Sequence, residues 1–160
     1  MKNKNLILQI IIMFFVLIIQ AYSPVIYIAN QTISPDIILV YITIMVLLFN
    51  RAQIIYFGFV LGLVQDLVSQ VTLIGLFSFI KSLSAYCIGS ISLYKSIWNV
   101  KIKYLVIAST YFLHFFIYFF IVINDSGSWL FILQNSVLQT IFSFGIFYLI
   151  NNFIFPRKLF

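Results

Sequence analysis

Charge is missing from this chain in long blocks. No Asp, Glu, Lys or Arg occurs in the stretches 6–22, 37–49, 104–123 or 129–155, and the stretches 54–68 and 76–93 carry one charged residue each, Asp66 and Lys81. A helix needs about 20 mostly apolar residues to cross a bilayer. Runs of this kind, broken at Ser23-Pro24, Pro35-Asp36, Asn50-Arg51 and Asn124-Asp125-Ser126-Gly127, therefore predict membrane spans. With 64% hydrophobic and 8% charged residues, the chain has too little polar surface to cover a water-soluble globule. The expectation is an all-α, polytopic membrane protein, a single domain over 1–160 with six transmembrane helices in one bundle. The expected spans are 6–22, 37–49, 54–68, 76–93, 104–123 and 129–155. The second and third are short. Two protein-covered spans are preferred to a re-entrant hairpin, which would put Arg51 at its tip inside the bilayer at a cost of about 2.5–3.5 kcal/mol.

The basic residues stand at the ends of the apolar runs, and Lys and Arg near helix ends favour the cytoplasmic side. With the N-terminus inside, Lys2, Lys4, Arg51, Lys95, Lys101, Lys103, Arg157 and Lys158 all fall on the cytoplasmic face, with both termini. Asp36, Asp66 and Asp125 fall toward the other face. This arrangement accounts for the net charge of +6 without a nucleic-acid partner. Lys2 and Lys4 give the first segment the look of a signal peptide, but its apolar run is long and no A-x-A site follows, so an uncleaved anchor is expected. Cys87, the one cysteine, allows no intramolecular disulfide or cysteine metal cluster and reads as a small buried hydrophobe.

Nucleophilic catalysis needs a base beside a nucleophile and a group that orients the base. The single histidine, His114, lies in an apolar run four residues before Tyr118 and three after Tyr111. There an interhelical hydrogen bond would satisfy it as a packing residue. No H-E-x-x-H, G-x-S-x-G or glycine-rich phosphate loop is present. No catalytic, cofactor-binding or metal-binding residue is expected, and no cofactor.

The most informative stretch is Gly58-Phe-Val-Leu-Gly62-Leu-Val-Gln-Asp66-Leu67. On a helix each step of four advances about 400°, so Gly58, Gly62 and Asp66 form one stripe that allows close backbone contact and ends in a carboxylate. Ser78, Ser82, Ala85, Gly89 and Ser92 give the fourth span a matching seam of small residues, and such seams drive helix packing in lipid. Spans three and four should form a close antiparallel pair that brings Asp66 toward Lys81 as a buried ion pair. Pro35-Asp36 reads as a helix-start signal. Asn135, Gln139 and Ser143, at steps of four on the last span, are expected to bond to neighbouring helices.

Ser34-Pro35-Asp36 before the second span, the stretch from Gly58 to Val68-Ser69, then Thr72-Leu73 and Ser84-Ala85-Tyr86, with the basic turn Asn50-Arg51, together resemble the rod-shape-determining MreD family of bacterial inner-membrane proteins. The resemblance covers the whole layout and is specific from Pro35 to Tyr86. One departure is that Gln70-Val71 follows the Asp-Leu-x-Ser portion and Gly75 arrives late. The resemblance implies a non-enzymatic scaffold of the cell-elongation machinery, working with a single-span MreC-like protein, an MreB-like filament and the wall synthases. Pro35, Asp36, Gly58, Gly62, Asp66 and Lys81 are then candidates for helix packing and for shaping the partner face. The family is similar in fold to the substrate-binding components of energy-coupling-factor transporters, and this gives an alternative: a membrane subunit that binds a vitamin or metal through Asp36, Asp66, Lys81 and Gln134.

Overall fold

A computed structural model describes residues 2–23, 25–28, 31–46, 48–69, 73–123 and 128–154. Among the described residues six helices follow one another: α1 (Lys2–Ala21), α2 (Ile37–Met45), α3 (Arg51–Ser69), α4 (Leu76–Leu93), α5 (Val100–Val122) and α6 (Trp129–Ile154). Between α1 and α2 lies a hairpin of β1 (Ile26–Ile28) and β2 (Gln31–Ile33), antiparallel with Ile26 opposite Ile33. The hairpin was not anticipated from the sequence, which reads there as an outer loop. The expected breaks at Pro24, Gln70 to Thr72, Asn124 to Gly127 and Pro156 to Lys158 lie outside the described residues.

Among the described residues four helices are long and apolar enough to cross a membrane: α3, α4, α5 and α6. Their outward faces carry large apolar side chains such as Tyr56, Phe79, Leu105 and Phe153, a surface that suits lipid and would drive aggregation in water. The chain is a membrane protein. The expected third span is longer than the sequence suggested, because α3 begins at Arg51 and runs for 19 residues.

At the expected second span, 37–49, the helix is shorter than the apolar run. The helix α2 has 9 residues, a rise of about 13.5 Å, less than half of the ~30 Å hydrocarbon core. Its position in the fold explains its length. Ile38, Leu39 and Ile42 are wholly buried and Val40, Tyr41 and Met45 nearly so, as in a helix that is apolar all round. Helices α1, α3, α4 and α6 pack around it, and Thr43 Oγ1 meets the Tyr111 hydroxyl of α5 at 2.8 Å. The core is built on α2, and the chain enters it as extended backbone.

The α3–α4 pair is the most extensive helix contact. A methyl group added at Gly58 would sit 2.9 Å from both the Ala85 Cβ and the Lys81 carbonyl oxygen; one at Gly62 would lie 2.5 Å from the Ser78 Cα. The expected close pairing of stripe and seam is what the two helices adopt. At its other end Gly89 faces the Arg51 side chain, 2.8 Å from where a Cβ would be, so Arg51 lies beside the end of α4 that leads to Lys95. The Lys103 ammonium, from the first turn of α5, donates to the Lys95 carbonyl at 3.1 Å. Arg51, Lys95 and Lys103 thus gather at one end of the α3–α4 pair.

The two glycine environments predict a sharp contrast. Gly62→Ala should destabilise the fold by about 1–3 kcal/mol, the range for overpacking a close contact, because its neighbour is backbone and cannot turn aside. Gly145→Ala, with nothing within 4 Å of the added methyl, should leave stability unchanged or slightly raised. Thermal unfolding of the two variants in detergent checks this.

Candidate functional site

Where extended backbone meets α2, four neighbouring elements converge. A helix start exposes backbone N–H groups that lack intrahelical acceptors, and inside a membrane no water satisfies them. Asp36 is the N-cap residue, in extended conformation, and its Oδ1 accepts from Leu39 N at 2.8 Å. Gln20 of α1 reaches the same place: its Oε1 accepts from Ile37 N at 2.7 Å and from Ile38 N at 3.4 Å, while its Nε2 donates to the Pro35 carbonyl. Ser143 Oγ of α6 accepts from Asp36 N at 3.3 Å. The Gln139 amide, oriented to suit its partners, brackets the Ser34 backbone, donating to its carbonyl at 2.7 Å and accepting from its N–H at 3.1 Å. Of the expected stripe on the last span, Gln139 and Ser143 serve this backbone, whereas Asn135 turns to its own helix and donates to the Phe131 carbonyl.

The second oxygen of Asp36 carries the electrostatics. Lys81 of α4 donates to Oδ2 in a buried ion pair, and His114 Nε2 of α5 lies 3.3 Å from the same atom. The other imidazole nitrogen, Nδ1, is 3.1 Å from Ser84 Oγ. All three titratable residues are at most 4% exposed. An isolated charge at this depth is expensive, and mutual pairing offsets that cost. His114 is held by interhelical contacts, as its sequence context suggested, and the partners are Asp36 and Ser84.

The expected Asp66–Lys81 ion pair is not formed. Asp66 is 1% exposed and among the described residues it bonds to the start of α4: Oδ1 accepts from Phe77 N at 2.9 Å, and Oδ2 from Gly75 N, Ser78 N and Ser78 Oγ at 2.9–3.1 Å. The reason lies in α4 itself. Its N-cap is Gly75, left-handed at φ 99° and without a side chain to cap the helix, so a neighbouring helix supplies the carboxylate that the first turn needs. Lys81 sits one and a half turns further on, where Asp36 is the acid within reach. Pro35 lies just before the cap instead of in the first turn.

Beside Asp36 and His114 opens a cavity of about 60 Å³, also lined by Gln20, Ser34, Gln65, Phe77, Tyr118 and Gln139. It shares Gln20, Ser34, Gln65, Phe77 and Tyr118 with a larger cavity of about 410 Å³ that extends to Ser23, Val25 and Ser69. Phe77 and Tyr118 stack at 5.1 Å along one wall, and among the described residues the buried Gln65 Oε1 has no hydrogen-bond partner. Of the four groups named for solute binding only Asp36 reaches these cavities; Gln134 is on the outer surface, and Asp66 and Lys81 do not line them. Gln20 and Gln65 were missed. A lone glutamine near the end of an apolar helix was the available signal. Among the described residues no three His, Cys, Asp or Glu side chains cluster as metal ligands would.

The chain matches no protein-family model, no curated protein and no solved structure.

The pairing of Asp36 with Lys81 has a measurable signature. Asp36→Asn leaves the Lys81 ammonium buried without its counter-charge and should cost about 3–5 kcal/mol. The double variant Asp36→Asn, Lys81→Met removes both charges and should recover more than half of that loss. Chemical unfolding of the single and double variants in micelles gives the coupling, and additive losses would contradict the pairing.

Proposed function

We propose that this protein is a non-catalytic membrane scaffold of the MreD kind, serving the machinery that builds the lateral wall of a rod-shaped bacterium. Its direct partner is an MreC-like single-span protein, and through it an MreB-like filament and the wall synthases. In this reading the chain lies in the cytoplasmic membrane with the basic end and both termini inside. The extended run from β2 into α2 joins α1 and the four long helices to complete six crossings.

The observation that carries the reading is what the motif residues do. Pro35, Asp36, Gly58, Gly62, Asp66 and Lys81 are all buried, and their contacts fix helix starts, one ion pair and one close helix pair. Residues committed to internal geometry suit a protein whose output is a rigid surface, since helix association in lipid depends on fitted packing. They also change how the motif would act on a partner: it sets the positions of the outward-facing residues of α3 and α4, such as Tyr56 and Phe79, without touching the partner itself. The expected result is that Gly62→Leu and Asp66→Ala chains, recovered from the membrane in monodisperse form, lose most of their co-purification with the MreC-like protein and fail to restore rod shape in a complemented strain. Full complex formation and normal shape in both variants would sink the assignment.

The cavity of about 410 Å³ favours a second reading, a solute-binding membrane subunit. That volume falls in the range of small-molecule sites, and the lining mixes aromatic faces with amides and hydroxyls. Denaturing extraction of the purified protein, followed by mass spectrometry, should release a stoichiometric small molecule if this reading holds.

A further inference from the structure

The two cavities that meet beside Asp36 lie at the end of the α3–α4 pair opposite Arg51, between the last turns of α1 and α3, the first turn of α4 and Tyr118 of α5. Much of their polar lining is already engaged. The Gln20 and Gln139 amides hold the backbone around Pro35 and Ser34, and the Asp36 carboxylate is met by Lys81 and His114. Gln65 differs from these. It lines both cavities, and its Oε1 is buried with no hydrogen-bond partner among the described residues. A buried amide oxygen left in that state is costly. The last torsion of a glutamine is broad, so rotation can turn either the oxygen or the NH₂ group to the cavity, where a bound donor would satisfy it.

Charge and shape narrow the occupant. The ionisable residues among those that line the two cavities are Asp36, His114 and Tyr118. Because Asp36 and Lys81 offset each other, a charged solute here would stand without a counter-charge, which is expensive in a buried site. The occupant is therefore neutral. The Phe77 and Tyr118 rings lie within 16° of parallel, 5.1 Å apart, and an aromatic wall of this kind suits a flat ring. Leu17, Val25, Ile38 and Val68 supply apolar surface around it.

Resting on the solute-binding reading, we propose that the larger cavity takes an uncharged planar heterocycle with a cyclic-amide edge. Its adjacent N–H and C=O pair with the Gln65 amide, which offers the complementary acceptor and donor, and its ring lies against Phe77 and Tyr118.

The test uses the full chain in detergent and three probes built on one ring: uracil, N,N′-dimethyluracil, which has lost both N–H donors, and orotate, which adds a carboxylate. Calorimetric titration should find uracil bound about tenfold more tightly than either relative. Gln65→Leu should weaken uracil by a similar factor, the size of one net hydrogen bond. Without ligand this variant should unfold at no lower temperature than the parent chain, since its buried oxygen has no bond to lose. Equal binding of uracil and its dimethyl relative, tighter binding of orotate, or a Gln65→Leu chain that is less stable but binds uracil normally would overturn the inference. Denaturing extraction separates its failure from that of the reading beneath it. A charged molecule released in stoichiometric amount, with no uracil binding, overturns the neutral cyclic amide and leaves a solute-binding subunit standing; no released molecule and no bound probe overturn both.

Discussion

The fold depends on how a helix can begin inside a bundle that sits in lipid. The start of α2 presents unpaired N–H groups in the buried interior of the bundle, and each left unsatisfied would cost several kcal/mol. Gln20, Asp36 and Ser143 meet that demand from three directions, and Gln139 holds the extended chain just ahead of it. The carboxylate suited to cap α2 brings a charge that must itself be compensated, and this draws Lys81 and His114 into the centre. Four helices are thereby tied to one short one. Non-helical backbone is tolerated in membranes where protein buries it, and here the burying side chains come from distant parts of the sequence.

Lys81 joins this centre to the α3–α4 pair. Its carbonyl oxygen forms part of the surface against which Gly58 packs, while its ammonium reaches Asp36. The same residue therefore sets both the approach of α3 to α4 and the position of α4 relative to α2. Loss of the charge and loss of the glycine contact would disturb one shared region, so their energies should not be independent.

Much of the architecture was legible in the sequence because it rests on local pattern. The ends of α4 follow from the apolar run between its polar breaks, and the approach of α3 to α4 follows from glycines at steps of four. What escaped depends on contacts distant in sequence. Nothing in the run after Asp36 shows that its helix stops at Met45, since Val46 continues the apolar pattern. The three acidic residues and Lys81 admit several pairings, and adjacency of spans three and four favoured Asp66. The deciding fact was that Gly75 leaves α4 uncapped, which commits Asp66 to the backbone and leaves Lys81 to an acid 45 residues earlier. Gln20 and Gln65 escaped for a similar reason: a glutamine's partners are not written beside it.

A helix that carries its own capping side chain can become stable as soon as it is made. In α4 the cap comes from α3, so the first turn of α4 stays incomplete until α3 lies against it. Synthesis delivers the parts in a useful order: Gly58, Gly62 and Asp66 are all in place before the backbone they receive. The pair is thus a cooperative hairpin, in which insertion of the second helix and its docking on the first become one event. A chain built in this way needs no separate search for the register of α3 against α4, because only one register satisfies the start of α4.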